Sequence, residues 1–342
     1  MKKFLFSLVF ALGGSAIAQD VTLPEESQYA ETMQRIGITD IKVTYHSPRV
    51  NGRTIFGGLV PYDQVWRAGA NFNTTISFTH EVFVQGTKVA AGTYGVHAIP
   101  GKSEWVFILS SNASSWGSFY YKKEEDVLRV NVKPVAHVFT EYLNYEFTDR
   151  SSTSATLSLV WENISVPVKI DVDVKNIVLA NMKNELRSLA GYNWQGYFHA
   201  AQFCMQHNFN LEEALAWTRR AEGFKPGDFR TLKLRADILN LMGKTTEADA
   251  ALKEGLKSAN EFDLNMHGYA LMNTGKINEA IEIFKQNVKK FPGSWNVYDS
   301  LGEALLAAGD KKGAKANYEI ALKKAPEQRK PSIQKIIDGI AP

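Results

Sequence analysis

The chain has 342 residues, more than one hydrophobic core usually serves, and its 44% hydrophobic and 22% charged residues exclude the charge-rich, apolar-poor profile of a disordered protein. Its formal charge of +3 falls to +1 once Lys2 and Lys3 are set aside, which removes any electrostatic reason to expect nucleic acid as a partner. The single cysteine, Cys204, excludes an intramolecular disulfide and reads as a small buried apolar residue.

The opening residues, MKKFLFSLVFALGGSAIAQD, place two lysines before an apolar run and end it with small residues. This is the pattern of a secretory signal peptide over 1–18, cleaved between Ala18 and Gln19. The run is too short to span a bilayer, no cysteine stands at the cut to carry a lipid, and nothing later is long and apolar enough to cross a membrane. The expectation is an exported bacterial protein, periplasmic or secreted, with no membrane span after cleavage. Residues 19–39 read as an N-terminal segment.

From 40 to 174 apolar residues recur at every second position, the signature of strands with one buried face. Ile41, Val43 and Tyr45 begin the series, and Ala155, Leu157, Leu159 and Trp161 share a later face. Gln85-Gly86 reads as a hairpin turn. About nine short strands with no helical crossovers predict an antiparallel β-sandwich or barrel.

At 175–194 the period becomes helical, with Leu179, Met182, Leu186 and Leu189 as an apolar stripe on a linker helix. The chain then repeats: Ala214, Ala248, Ala280 and Ala314 recur at intervals of 32 to 34 residues in similar settings. Tyr298, Gly302, Ala314, Tyr318 and Pro326 in the last unit, and Gly268, Ala280, Phe284 and Pro292 in the one before, resemble the tetratricopeptide repeat. The resemblance covers 195–328 in four units, 195–228, 229–260, 261–294 and 295–328, followed by a capping helix over 329–342. It implies an α-helical solenoid whose inner groove lies on the first helix of each unit. Carried over unit by unit, the groove residues are His199, Phe203 and Gln206; Arg230, Lys233, Asp237 and Asn240; Phe262, Asn265, Tyr269 and Met272; and Asn296, Asp299, Glu303 and Leu306. Such a mixed surface suits a protein or peptide partner.

The first half carries a denser signal. SPRVNGRTIFGGLVPYDQVWRAGAN and AGTYGVHAIPGKSEW together resemble a bacterial, extracytoplasmic family known as domain of unknown function 2911. That resemblance implies a β-rich fold and no reaction. On physical grounds, rigid turns at Gly57-Gly58, Pro61 and Gly69 hold Arg49, Arg53 and Arg67 in place, near Tyr62, Trp66, Asn71, Tyr94 and His97. Two readings stand. In one, these eight residues form a pocket in which arginine forks take a small anionic ligand and aromatic rings take a sugar or ring. In the other, the arginines pair with Asp63, Glu81, Glu141 or Glu146 and pin the loop to the sandwich. Trp66, Trp105 and Trp116 are candidates for glycan binding without chemistry.

An enzymatic alternative is a hydrolase or transferase built on Arg49, Arg67, Asn71, Tyr94 and His97. His46, His80, His97 and His137 lie on separate strands, no HExxH, GxSxG or GxxxxGK[ST] occurs, and WGSFY around Ser118 lacks the nucleophile motif. No metal or cofactor is expected, and the leading expectation is a binding or scaffold protein.

Overall fold

A computed structural model describes residues 23–340, so the expected signal peptide lies outside the described residues. The chain divides into two compact units, the first ending at Val178 and the second starting at Leu179.

The first unit is an open two-sheet sandwich. One sheet has six antiparallel strands in the order β1 (Gln28–Ile36), β2 (Thr39–Ser47), β3 (Thr75–Phe78), β6 (Gly92–Ile99), β7 (Trp105–Ser110) and β8 (Asp126–Val132). The other has four, in the order β5 (Thr87–Val89), β4 (Val82–Val84), β10 (Ser154–Asp171) and β9 (Val135–Thr148). The inward residues are those the alternation picks out: Ile41, Val43 and Tyr45 on β2 and Leu157, Leu159 and Trp161 on β10 belong to one buried core. Gln85 and Gly86 both have positive φ, 48° and 78°, which lets a two-residue hairpin follow the strand twist between β4 and β5. The expected N-terminal segment contains a strand, β1, that the alternation does not reveal. It is an edge strand, exposed or half-buried along most of its length, so its sequence carries no apolar face.

The second unit is helical. After α1 (Val174–Glu185), four antiparallel pairs follow: α2 (Trp194–Gln206) with α3 (Leu211–Phe224), α4 (Phe229–Leu241) with α5 (Thr245–Ser258), α6 (Glu261–Asn273) with α7 (Ile277–Lys290), and α8 (Trp295–Ala307) with α9 (Lys311–Lys324). α10 (Lys330–Gly339) closes the array by burying Ile333 and Ile337 against α9. Ala214, Ala248, Ala280 and Ala314 are all buried at pair crossings. A Cβ on Gly268 would lie 2.5 Å from the Phe284 ring, so this pair packs closer than any side chain permits. The linker helix is shorter than expected. Leu179, Met182 and Leu186 pack on the first repeat, but the α-helix ends at Glu185 and Leu189, in a short 3-10 turn, is 83% exposed. Among the described residues no helix is long and apolar enough to cross a membrane.

Candidate functional site

The connection between β2 and β3, residues 48–74, folds back over the sandwich and buries Ile55, Phe56, Val60 and Ala68 in its core. Two backbone ladders anchor it. At one end, Val50 N–H donates to Glu141 O (2.8 Å) and Leu143 N–H to Pro48 O (2.9 Å), so Arg49 lies opposite Tyr142 of β9. β9 can pair there because it is the edge strand of its sheet, with the backbone groups of Glu141 and Leu143 free of β10. At the other end, Trp66 and Ala98 exchange N–H···O bonds of 2.8 Å each.

Just past the second anchor the backbone is strained and tied down. Ala68 has φ 51° and is fully buried; its carbonyl accepts from Tyr145 Oη (2.8 Å) and Thr74 Oγ1 (3.1 Å). A Cβ on Gly69 would sit 2.5 Å from Thr74 Oγ1, and Trp66 Nε1 donates to Gly69 O at 3.2 Å. The text WRAGAN is thus a turn whose geometry directs the Arg67 side chain.

Arg49, Arg53, Trp66, Arg67 and Asn71 converge on one open cavity of about 330 Å³, together with Glu26, Ser27, Leu59 and Trp161. Arg53 is spent on structure: its Nε donates to Val50 O (3.1 Å) and Nη2 to Arg49 O (2.6 Å). Arg49 has a long contact to Glu26, 3.8 Å. Arg67 is half-buried with Nη1 against Gly117, and burial pushes its guanidinium below the usual range with no carboxylate offsetting the cost. Among the described residues it makes no hydrogen bond or ion pair, and its Nε is shielded without a partner. Of the four carboxylates named as structural mates, three are engaged elsewhere, Glu81 with Lys88, Glu146 with His137 and Glu141 with the Asn51 N–H, and Asp63 makes no ion pair with an arginine among the described residues. Trp161, 1% exposed and stacked on Trp66 at 5.9 Å, also has an indole N–H with no acceptor. The sequence pattern marks Trp161 only as a core residue; the polar Glu162-Asn163 after it, interrupting an apolar strand, signals the irregularity that brings it to this wall.

Tyr62, Tyr94 and His97 do not join the cavity. Tyr62 packs under Gly57, and Tyr94 donates to Ala90 O (3.0 Å) while packing on Phe78. His97 is buried, and desolvation holds it at about 4, so it is neutral near pH 7. It lies 3.2 Å from Ser118 Oγ and edge-on to Tyr121, whose hydroxyl bonds both Asp126 oxygens and accepts from Arg129. Burial first, then Asp126, raise the Tyr121 phenol to about 12. This cluster pins residues 116–121 to β6 and β8. Among the tryptophans considered for glycan contact, Trp105 is sealed in the core, whereas Trp116 is exposed and stacked on Phe119.

In the helical unit a second open cavity, of about 320 Å³, runs across the first helices of three pairs. Of the residues carried over to the groove, Arg230, Lys233, Asp237 and Phe262 line it, with Phe198, Met205, Phe229, Met266 and His267. Phe262 and Met266 are exposed, and Lys233 is tied to Asp237 at 2.7 Å. The expected groove set is out of register in the first pair: His199 and Phe203 face α1, lining a separate cavity with Met182 and Leu186. That surface is covered because α1 packs on the first repeat. Tyr269 and Glu303 also serve structure, joined by a 2.7 Å hydrogen bond across two pairs. Asn240, Asn265, Met272, Asn296, Asp299, Leu306 and Gln206 lie outside this cavity.

Comparison with known proteins agrees with this division. Residues 27–170 match the family model described as Protein of unknown function (DUF2911), and residues 266–294 match a Tetratricopeptide repeat model. No curated protein matches the chain. Among solved structures, PilF of Pseudomonas aeruginosa is similar at 20% identity over 45% of this chain and 69% of its own, with a TM-score of 0.30. The TPR protein YrrB is similar at 14% identity over 46% and 81%, TM-score 0.30. A thermophilic TPR protein of Thermus thermophilus is similar at 14% over 49% and 90%, TM-score 0.30. The chain therefore joins a domain matching the DUF2911 family model to a helical array of tetratricopeptide type.

Proposed function

We propose that this is an exported two-module binding protein. Its helical array engages a protein or peptide partner, and its β unit holds a small anionic ligand in the arginine cavity. Arg67 carries the second half of the reading: a half-buried cation with no carboxylate partner, beside an indole N–H with no acceptor, is costly unless an anion completes it. The first half is supported by the cavity across α2, α4 and α6, where exposed Phe262 and Met266 adjoin Arg230 and the Lys233–Asp237 pair. An apolar side chain of a peptide fits that floor, with charged groups at its margin fixing direction. Export rests on the N-terminal sequence pattern alone.

The test of the anion reading is tryptophan fluorescence of the purified chain during titration with sugar acids, other carboxylates and inorganic phosphate, because Trp66 and Trp161 stack at the cavity wall. A saturable change that Arg67→Ala removes supports the reading; no change with any anion contradicts it. For the array, peptides selected by display on the full chain should lose binding in Phe262→Asp. They should keep it in Lys253→Asp, since α5 contributes nothing to the cavity lining.

A further inference from the structure

One wall of the arginine cavity is built from the segment that precedes β1. Glu26 and Ser27, just before β1 begins, line it, and Glu25 reaches it through Asn71. Glu25 Oε2 accepts from Asn71 Nδ2 at 2.8 Å and lies 3.0 Å from His46 Nε2, and Asn71 Nδ2 also reaches Ser27 O at 3.3 Å. Glu26 stands 3.8 Å from Arg49 Nη2. The two glutamates thus face two donors of the cavity lining, Asn71 and Arg49, while His46 stands behind Glu25 outside that lining. They do not reach Arg67, whose Nη1 instead lies against Gly117.

The segment is lightly held. Residues 23–26 are exposed, Leu23 buries little, and the Glu26 side chain is 80% exposed. The Glu26–Arg49 contact is exposed, and exposed ion pairs of this kind contribute about 0–1 kcal/mol each; the firmer hold is the half-exposed Glu25 carboxylate on Asn71 and the buried His46. Proximity adds to it: a tethered group competes at an effective concentration of ~mM.

Resting on the anion reading above, we infer that the cavity's ligand is a carboxylate-bearing small molecule, and that Glu25 and Glu26 form a built-in carboxylate strap which this ligand displaces. The chain's own occupant supplies the chemistry: the groups that Asn71, His46 and Arg49 now face are carboxylates. A ligand with more than one carboxylate takes Asn71 and Arg49 from Glu25 and Glu26 and extends a second group inward to Arg67, which the strap cannot satisfy. An arginine fork meets such a planar group with two parallel N–H···O bonds.

The experiment uses the purified chain with citrate, acetate and inorganic phosphate as probes, read by tryptophan fluorescence and by limited cleavage with a glutamate-specific protease. Citrate is expected to bind more tightly than phosphate or acetate. Glu25→Gln/Glu26→Gln is expected to raise citrate affinity about threefold or more, the order of gain when a weak tethered competitor is removed. Citrate should also speed cleavage after Glu25 and Glu26 in the unmodified chain, which a change in local charge alone would not do. Arg67→Ala, with Arg67→Lys as a variant that keeps the charge and loses the fork, should abolish or weaken binding with and without the strap substitutions. If the double variant binds citrate no better and cleavage is unaffected by citrate, the strap is overturned while Arg67-dependent binding leaves the cavity reading standing. Binding of phosphate but not citrate overturns the carboxylate assignment. Citrate binding indifferent to both Arg67 variants overturns the cavity reading itself.

Discussion

The Tyr145 hydroxyl donates a 2.8 Å hydrogen bond to the carbonyl of Ala68, joining the middle of β9 to the residue next to Arg67. This bond spans 77 residues of sequence, and burial holds the phenol protonated by pushing its pKa well above the ordinary value. Tyr145→Phe leaves the carbonyl with Thr74 as its remaining donor and should cost about 1 kcal/mol, read from urea unfolding of the β unit. Anion affinity should fall with it, because the strained turn at Ala68 sets the direction of Arg67.

Arg67→Ala should separate stability from binding. Removing a half-buried cation that has no partner relieves a desolvation cost, so unfolding free energy should stay level or rise by up to about 1 kcal/mol. Anion affinity should drop at least about tenfold, the order expected for a lost charge-assisted pair. Denaturant melts and fluorescence titration on the same samples check both halves; a variant that is destabilised and still binds would contradict the assignment.

Acid should weaken both units through one histidine each. His97 in the sandwich and His267 in the array are each held at about 4, chiefly by burial, against an ordinary value of 6.5. The unfolded chain therefore takes up these protons first. Stability is full above about pH 6.5 and is lost as pH falls toward 4, on the order of 1–3 kcal/mol per histidine. His97→Gln and His267→Gln should each flatten the pH dependence of their own unit's melting between those limits, followed by near-ultraviolet and 222 nm circular dichroism respectively.

Close helix contact in the array should respond to a single methyl. Gly268→Ala puts a Cβ 2.5 Å from the Phe284 ring, which must move, and should cost about 1–3 kcal/mol in the helical unit. Citrate titration of the same variant should be unchanged, since its readout lies in the β unit.

The parts of this architecture legible in the sequence are those where burial imposes a period. Alternation through Ile41, Val43 and Tyr45 marks strands because each second residue enters the core, and the spacing of Ala214, Ala248, Ala280 and Ala314 marks helix pairs because each crossing needs a small residue. β1 is hidden because its half-buried face is Ala30, Thr32 and Gln34, too polar to show as an apolar period. His199 and Phe203 fall outside the groove, against expectation, because the repeat pattern fixes helices but not what packs against the first of them, and α1 covers that face. The arginine cavity is half legible. Arg49, Arg53, Trp66, Arg67 and Asn71 come from one loop and line it, whereas Tyr62 of the same loop packs against the core under Gly57, and Tyr94 and His97 of β6 belong to the core and to the Asp126 cluster. Trp161 and the glutamates at 25 and 26 arrive from distant segments, and only tertiary structure brings them in.

The most direct test of the anion cavity is the indole ¹⁵N–¹H resonance of Trp161 during citrate titration. Its N–H has no acceptor within the protein and lies at the cavity wall. The account predicts a saturable shift of that resonance, lost in Arg67→Ala; a Trp161 signal that stays fixed while citrate binds elsewhere, or that never responds to any anion, would contradict it.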